Sequence, residues 1–452
     1  MNSISNGVSP VVTRFAPSPT GLLHAGNYRT AVFAYLFAKH SGGKFIVRIE
    51  DTDVARSKPE YAANIPEILK WLQLPADQMY RQSEHRPRHR ELLEKLIADN
   101  TAYVSKETPQ APGDREEVIR FRNPGGAVAF TDVIRGEITT DVSDLGDFII
   151  ARSLDEPVFH FAVVVDDADE GVTHVIRGGD HISNTARQML IQRALGLPLP
   201  LYAHLPLIMD SNHKKLGKRN GAKPLTEYRD MGILPEALLN YLAFLGWNPG
   251  DDREYLSKDE LISAFDLSRV QKGSAVFDEV KLLSVNQYWM RKLSDEDFLT
   301  HLDARRDVRR PDIVGKTVSL LKERAHTFGE ARELLAGEFS CLFTEPNLDR
   351  LQLLAKELKE RPGVAKTALE SLLKPLKALG NDVSAGEVKE AVMPLADAEE
   401  GKGKGGRGAV LWPLRYALSG AERSPDPFTL ISILGPEESI SRIQRAIAIL
   451  GG

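Results

Sequence analysis

Four short stretches group the residues able to do chemistry. The first is Val12-Thr13-Arg14-Phe15-Ala16-Pro17-Ser18-Pro19-Thr20-Gly21-Leu22-Leu23-His24-Ala25-Gly26-Asn27. It reads as a short strand, a turn held by prolines and a glycine, and the first turn of a helix. Such a junction presents backbone N–H groups and a helix dipole to phosphate. His24 and Asn27 are three apart, so they share a helix face and can point at one ligand. The second stretch, Glu50-Asp51-Thr52-Asp53, sets carboxylates at the end of an apolar run, and the third is the polar cluster Arg177-Gly178-Gly179-Asp180-His181. The fourth, Lys214-Lys215-Leu216-Gly217-Lys218-Arg219, is a basic loop.

These groups need a scaffold, and the flanking patterns describe one. Tyr28–His40 is an apolar helix ended by Ser41-Gly42-Gly43. Lys44–Ile49 is a β-rich run ending at Glu50, as a strand of an α/β unit would. Ligands bind at the carboxyl edge of open parallel sheets, so Glu50 can face a substrate ammonium, with Asp51 and Asp53 available as caps. Helices are expected over Pro59–Leu72 and Arg88–Asp99. From Thr101 to Glu156 short strands (Glu117–Arg122, Ala127–Val133, Phe148–Arg152) alternate with turns, as in a β-rich insertion. Pro157–Val165 is continuously apolar and reads as a strand buried on both faces, ending at Asp166-Asp167. Thr173–Ile176 is another strand, Ile182–Leu195 a helix and Leu205–Met209 the last strand before the basic loop. The remainder is helical, with segments expected at Tyr228–Leu245, Leu320–Leu335, Asn347–Glu360, Ala365–Ala378, Val410–Ser419 and Ser439–Leu450, and a glycine–lysine loop at Gly401–Gly408. Trp247 and Trp289 read as core residues.

At 452 residues the chain calls for several domains. Its 42% hydrophobic and 27% charged residues are those of a soluble globular protein. No run approaches the ~20 apolar residues of a membrane span. Met1–Val8 lacks the layout of a signal peptide, so a cytoplasmic location is expected. The single cysteine, Cys341, excludes an internal disulfide framework and a cysteine-rich zinc cluster. Net charge is −5, but basic clusters recur: Arg81, Arg86, Arg88 and Arg90; Lys214 to Arg219; Arg305, Arg306, Arg309 and Arg310; Lys402, Lys404 and Arg407. Their spread suits an extended polyanion.

R-F-A-P-S-P-T-G followed by H-A-G-N resembles the nucleotide-binding signature of class I glutamyl-tRNA synthetases, with Ala25 and Asn27 where the family has an aliphatic residue and a second histidine. H-V-I-R-G-G-D-H-I-S-N-T is similar to a second run of that family, and K-L-G-K-R to its Lys-Met-Ser-Lys-Arg loop, with Gly217 for serine. The resemblance implies a Rossmann-type parallel-sheet catalytic domain of α/β class (1–100 and 157–225). An acceptor-end-binding β-rich insertion (101–156) interrupts it. An α-helical stem-contact region (226–305) and two α-helical anticodon-binding subdomains (306–376 and 377–452) follow. Phe277–Leu282 and Asn286–Trp289 resemble the stem-contact region, and Pro413–Gly420 the last anticodon domain.

Carried over residue by residue, the resemblance implies that His24 and Asn27 bind the phosphate in flight. Lys215 and Lys218 would neutralise the departing pyrophosphate. ATP would contact His24, Gly26, Asn27, Asp180, Ile208, Lys218 and Arg219. Glutamate would lie against Arg14, Ala16, Ser18, Glu50, Phe159 and Arg177, since a guanidinium fork suits a carboxylate. Two readings stay open: Ser18 could only cap its turn, and Arg177 could pair internally with Asp166 or Asp167. Phe159 replaces the family's tyrosine and loses a hydrogen bond worth roughly 0.5–1.5 kcal/mol. His160 points to the opposite face if the segment is a strand.

ATP with Mg²⁺ is the implied cofactor, and no zinc is expected because Ala102–Glu107 has no cysteine. Implied partners are L-glutamate and tRNA(Glu), with tRNA(Gln) open, and the two-lobed plan suggests a monomer. Glutaminyl enzymes share the fold but end in β-barrels, and the paralogue that glutamylates a modified tRNA base lacks an anticodon module. A catalytically impaired tRNA-binding paralogue is the alternative from another class.

Overall fold

A computed structural model describes residues 10–108, 116–217, 221–302, 311–354, 362–400 and 406–451. The chain divides into two units, residues 1–286 and 287–452.

In the first unit, Val12–Phe15 is buried at every position and forms strand β1. Helix α1 (Ala25–His40) is apolar nearly all round and leads to strand β2 (Lys44–Ile49). Helix α2 (Pro59–Trp71) starts on a proline and returns the chain to strand β3 (Gln78–Arg81), and helix α3 (Arg86–Ala98) follows. The next strands are β4 (Ala102–Lys106), β5 (Glu117–Phe121), β6 (Ala127–Asp132), β7 (Gly136–Asp141), β8 (Phe148–Ser153) and β9 (Glu156–Pro157). Helix α4 (Phe159–Asp169), strand β10 (His174–Gly178), helix α5 (Ile182–Leu195) and strand β11 (Leu201–Leu205) complete the α/β part.

The main sheet has the order β3-β2-β1-β10-β11-β6-β7, parallel as far as β6 with β7 as an antiparallel edge. From β1 the chain builds outward one way through β2 and β3, and later the other way through β10 and β11. The order therefore reverses between β1 and β10, and a crevice opens at their carboxyl ends. The inserted segment contributes twice. Its β6–β7 hairpin extends the main sheet, while β4, β5, β8 and β9 form a separate antiparallel sheet. Leu92, Leu93, Phe161, Val164, Val175, Ile191 and Tyr202 join helices, sheet and insertion in one core.

Three expectations change in this unit. Phe159–Val165 is helical, not a strand. A short apolar run does not distinguish a buried helix from a buried strand, and α4 buries every residue from Phe161 to Asp167 against its neighbours. Asp166 and Asp167 thus lie inside a helix. The strand expected over Leu205–Met209 stops at Leu205, and only Ile208–Met209 resumes, paired with Ala275–Val276. The helix expected over Tyr228–Leu245 is two, Leu225–Asp230 and Pro235–Phe244, separated by a turn in which Gly232 takes φ +84°. Trp247 is core as expected, 1% exposed.

The second unit is helical among its described residues. Helices Pro362–Lys377 and Pro436–Gly451 pack together, with Ala385–Glu400, Gly408–Ser419 and Pro427–Leu434 around them. Buried Arg442 binds the carbonyls of Cys341, Leu418 and Thr344. The helix expected over Leu320–Leu335 is split into Pro311–Arg324 and Phe328–Ala336, because Thr327 caps the second by accepting from Glu330 N. Of the helix expected over Asn347–Glu360, residues 347–349 are irregular and 350–353 form a turn, while 355–361 and 401–405 lie outside the described residues. Trp289 is half-buried. No helix of the described residues is long and apolar enough to cross a membrane.

Where β1 and β2 begin, a Cβ on Gly43 would lie 2.1 Å from the Val11 carbonyl oxygen. That oxygen already accepts from Lys44 N at 2.8 Å. Gly43→Ala is expected to destabilise the chain by about 1–3 kcal/mol, read as a lowered urea midpoint at unchanged slope.

Candidate active site

At the reversal between β1 and β10 lies a cleft of about 560 Å³. Arg14, Ala16, Ser18, His24, Gly26, Asn27, Glu50, Phe159, Arg177, Asp180, Ile208 and Lys215 all line it. Residues as far apart in sequence as Arg14 and Lys215 thus meet because the sheet order turns there. Lys218 and Arg219 lie outside the described residues.

The signature turn caps α1 with its own side chains. Gly26 N donates to His24 Nδ1 at 3.0 Å, and His24 N donates to Asn27 Oδ1 at 3.2 Å, a reciprocal capping box. Asn27 N meanwhile bonds the His24 carbonyl. Within the first turn, Gly26 N and Asn27 N are thus both taken up by His24, through its ring and its carbonyl. With Nδ1 accepting, a neutral His24 carries its proton on Nε2. Gly26 is needed here, since a Cβ would stand 2.8 Å from His24 Cε1.

On the β2 side, Arg48 is wholly buried among carboxylates. Its Nη2 lies 2.8 Å from Asp167 and 3.4 Å from Glu50, and its Nη1 2.5 Å from Glu170. Arg14 Nε donates to Asp167 at 3.1 Å. Asp166 collects Gln82 Nε2 at 2.7 Å, His85 Nδ1 at 3.0 Å and His89 Nε2 at 2.7 Å. Burial pushes the Glu50 carboxyl up to about 7, against the pull of Arg48 and then Arg14. Glu170 rises to about 7 for the same reason, with Arg48 opposing. For Asp167 burial also raises, but Arg14 and Arg48 outweigh it and hold it low. Asp53 caps its turn by accepting from Arg56 N, while Asp51 instead holds Ser83 across to the next segment.

On the β10 side, Arg177 is 7% exposed. Its Nε donates to His204 Nε2 at 3.1 Å and its Nη2 to Thr185 Oγ1 at 2.7 Å. The internal pairing with Asp166 or Asp167 does not form, because Arg14, Arg48 and the histidines take those carboxylates. Burial lowers Arg177 to about 10, still a cation at neutral pH. Among the described residues no carboxylate makes an ion pair with it. Two glycines shape the turn that follows: a Cβ on Gly178 would lie 2.5 Å from Asp180 Oδ1, and one on Gly179 2.9 Å from the Leu205 carbonyl. Asp180 folds back and pairs with Lys215 Nζ at 2.7 Å.

Phe159 lines the cleft as expected. His160 does not line it, since a helix sends neighbours about 100° apart, and the ring lies 5.6 Å from that of Phe159. Sequence reasoning missed Arg29, Arg48 and His204, and named His181 only within its polar cluster; His181 lines the cleft. Arg29 lines the cleft almost fully buried and donates to the carbonyls of Leu245 and Pro206. Each of Arg29, Arg48 and His204 interrupts an otherwise apolar helix or strand, which was the available signal. The first basic cluster is largely neutralised: Arg88 pairs with Glu91 and Asp169, and Arg90 with Glu94 and Asp155. Residues 305–310, 402 and 404 lie outside the described residues.

The family model described as tRNA synthetases class I (E and Q), catalytic domain, matches residues 10–117 and 107–284, and that of an anticodon binding domain matches 284–447. The chain belongs to the class I tRNA synthetases of the E and Q type. A glutamate tRNA ligase from Elizabethkingia meningosepticum, crystallised in complex with its amino acid, is 32% identical with a TM-score of 0.83, covering 97% of this chain and 99% of that one. A glutamate-tRNA synthetase from Elizabethkingia anophelis is 32% identical with a TM-score of 0.81, covering 97% and 100%. As a class I synthetase the chain is an enzyme that uses ATP, with a Rossmann-type catalytic domain and a helical anticodon-binding domain. Of its departures from the signatures, Asn27 has a place in the cap of α1. Nothing in the structure explains Gly217, around which a Cβ would meet open space.

Removing the Arg48 cation would leave Asp167 and Glu170 buried without it. Arg48→Met is expected to cost about 3–5 kcal/mol, read from urea unfolding followed by circular dichroism.

Proposed function

We propose that the chain is a glutamate–tRNA ligase. The observation that carries this reading is Arg177: a buried guanidinium facing the cleft, held by neutral partners and paired with no carboxylate among the described residues. It suits the side-chain carboxylate of glutamate and disfavours the neutral amide of glutamine. Glu50, across the cleft, suits the substrate ammonium, while Arg14, Ala16, Ser18 and Phe159 complete the amino-acid pocket.

In the first step an oxygen of the glutamate α-carboxylate attacks the α-phosphorus of ATP. The bond to the β-phosphate bridge breaks and pyrophosphate leaves with the electron pair, giving glutamyl-adenylate. In the second, a ribose hydroxyl of the terminal adenosine of tRNA attacks the activated carbonyl and AMP departs. Positioning and charge stabilisation suffice, without a covalent enzyme intermediate. His24 and Asn27 border the phosphate, Gly26 lets the chain approach it, and Asp180 and Ile208 border the adenosine. Lys215, Lys218 and Arg219 stand for the leaving pyrophosphate, which requires Lys215 to leave Asp180. ATP brings Mg²⁺ that neutralises phosphate charge. Among the described residues no group of three or more His, Cys, Asp or Glu is placed to hold a metal. We read residues 101–156 as gripping the tRNA acceptor end, 226–305 as contacting its stem, and 306–376 and 377–452 as anticodon subdomains of a monomeric cytoplasmic enzyme.

The test is charging of purified tRNA(Glu) and tRNA(Gln) with labelled glutamate, with Lys218→Ala as control. Charging of tRNA(Glu) that Lys218→Ala reduces at least a hundredfold supports the ligase. Charging of tRNA(Gln) as well makes it non-discriminating. Binding of both tRNAs without charging of either leaves a tRNA-binding paralogue. A second outcome follows from Glu50. Only its anion pairs with the ammonium, and its pKa of about 7 puts the change at neutrality. The KM for glutamate is therefore expected to fall about tenfold from pH 6 to pH 8. Glu50→Gln is expected to raise KM and flatten that slope, any residual slope reporting Glu170 across Arg48.

A further inference from the structure

Behind Arg177 runs a buried relay that no signature marks. His204, on β11, is fully buried and accepts from Arg177 Nε at its Nε2. It can accept there only if Nδ1 carries the ring proton. Nδ1 lies 2.7 Å from Asp132 Oδ2, and a carboxylate only accepts, so Asp132 fixes that tautomer. Asp132 is itself immobilised: its Oδ1 takes the N–H groups of Ile134 and Arg135 at 3.0 and 2.9 Å, and its Oδ2 also takes His204 N at 3.0 Å. The Tyr202 ring stacks on His204, with centroids 6.0 Å apart and planes 7° apart, and lies 5.4 Å from the guanidinium of Arg177. Burial, and then the charge of Arg177, outweigh Asp132 and keep the imidazole neutral.

We propose that Asp132 and His204 are positioning residues for Arg177. They hold its guanidinium aimed into the cleft through a neutral acceptor and so leave its charge for the substrate's side-chain carboxylate. A carboxylate in the place of His204 would neutralise Arg177 and remove the preference for an anion; the imidazole spacer keeps Asp132 one ring away. Asp132 ends β6, so the β6–β7 hairpin of the inserted segment reaches amino-acid selection through it. This inference rests on the glutamate reading.

Three variants test it in the full-length enzyme, by aminoacylation kinetics with glutamate and glutamine. Asp132→Asn can present an amide N–H to Nδ1, which moves the ring proton to Nε2 and turns it against Arg177. The expected result is a glutamate KM raised about tenfold or more, an ATP KM within twofold, and a smaller preference for glutamate over glutamine. His204→Phe, which removes the acceptor, is expected to match it. His204→Gln, whose amide can both accept from Arg177 and donate to Asp132, is expected to return the glutamate KM to within about threefold of wild type. An unchanged glutamate KM in Asp132→Asn overturns the proposal. So does a parallel rise of the ATP KM, or a His204→Gln enzyme no better than His204→Phe. If Asp132→Asn does not fold by thermal melting, the two His204 variants decide between the same outcomes. A wild-type enzyme that does not use glutamate would instead refute the reading beneath it.

Discussion

Three guanidinium groups, those of Arg14, Arg48 and Arg177, are buried at the ends of three neighbouring strands, and the rest of the catalytic unit answers to them. Cations taken out of water need compensation, or they lose the fold its stability. Arg48 and Arg14 receive it from Asp167, Glu170 and Glu50. Arg177 is treated differently. Its partners are an imidazole nitrogen and a hydroxyl, which satisfy its N–H groups without cancelling its charge. One side of the cleft is thus balanced, and the other awaits an anion.

The parallel sheet makes this division possible. Arg14 and Glu50 come from the end of one half of the sheet, and Arg177 from the end of the other, where the strand order reverses. Helix α4 supplies Phe159 to the cleft at one end and Asp166 and Asp167 to the buried charges at the other, where its C-cap Glu170 joins them. A strand in that place would alternate its side chains and could not send three carboxylates to one guanidinium. The helical form of this segment, misread from its apolar run, is therefore a requirement of the charge network.

Legibility in the sequence followed the kind of constraint. Strand β2, helix α1 and the Arg177–His181 turn were readable because glycine, proline and an abrupt change from apolar to polar mark their ends. The site residues named through family resemblance line one cleft where the structure describes them, and the structure adds what that resemblance could not give. His24 and Asn27 read as two ligands for phosphate and are also each other's cap. The roles of Arg48 and His204 could not be read because they depend on Asp167 and Asp132, 119 and 72 residues away. A lone polar residue in an apolar strand says that something must satisfy it, not what does.

The most direct measurement is the ratio of kcat/KM for glutamate to that for glutamine in the wild type and in Arg177→Met, with tRNA and ATP saturating. A strong wild-type preference for glutamate that falls by about a hundredfold or more in the variant, with the ATP KM unchanged, is the expected result. Retention of the preference by Arg177→Met would contradict it and would move carboxylate recognition to another cation of the cleft.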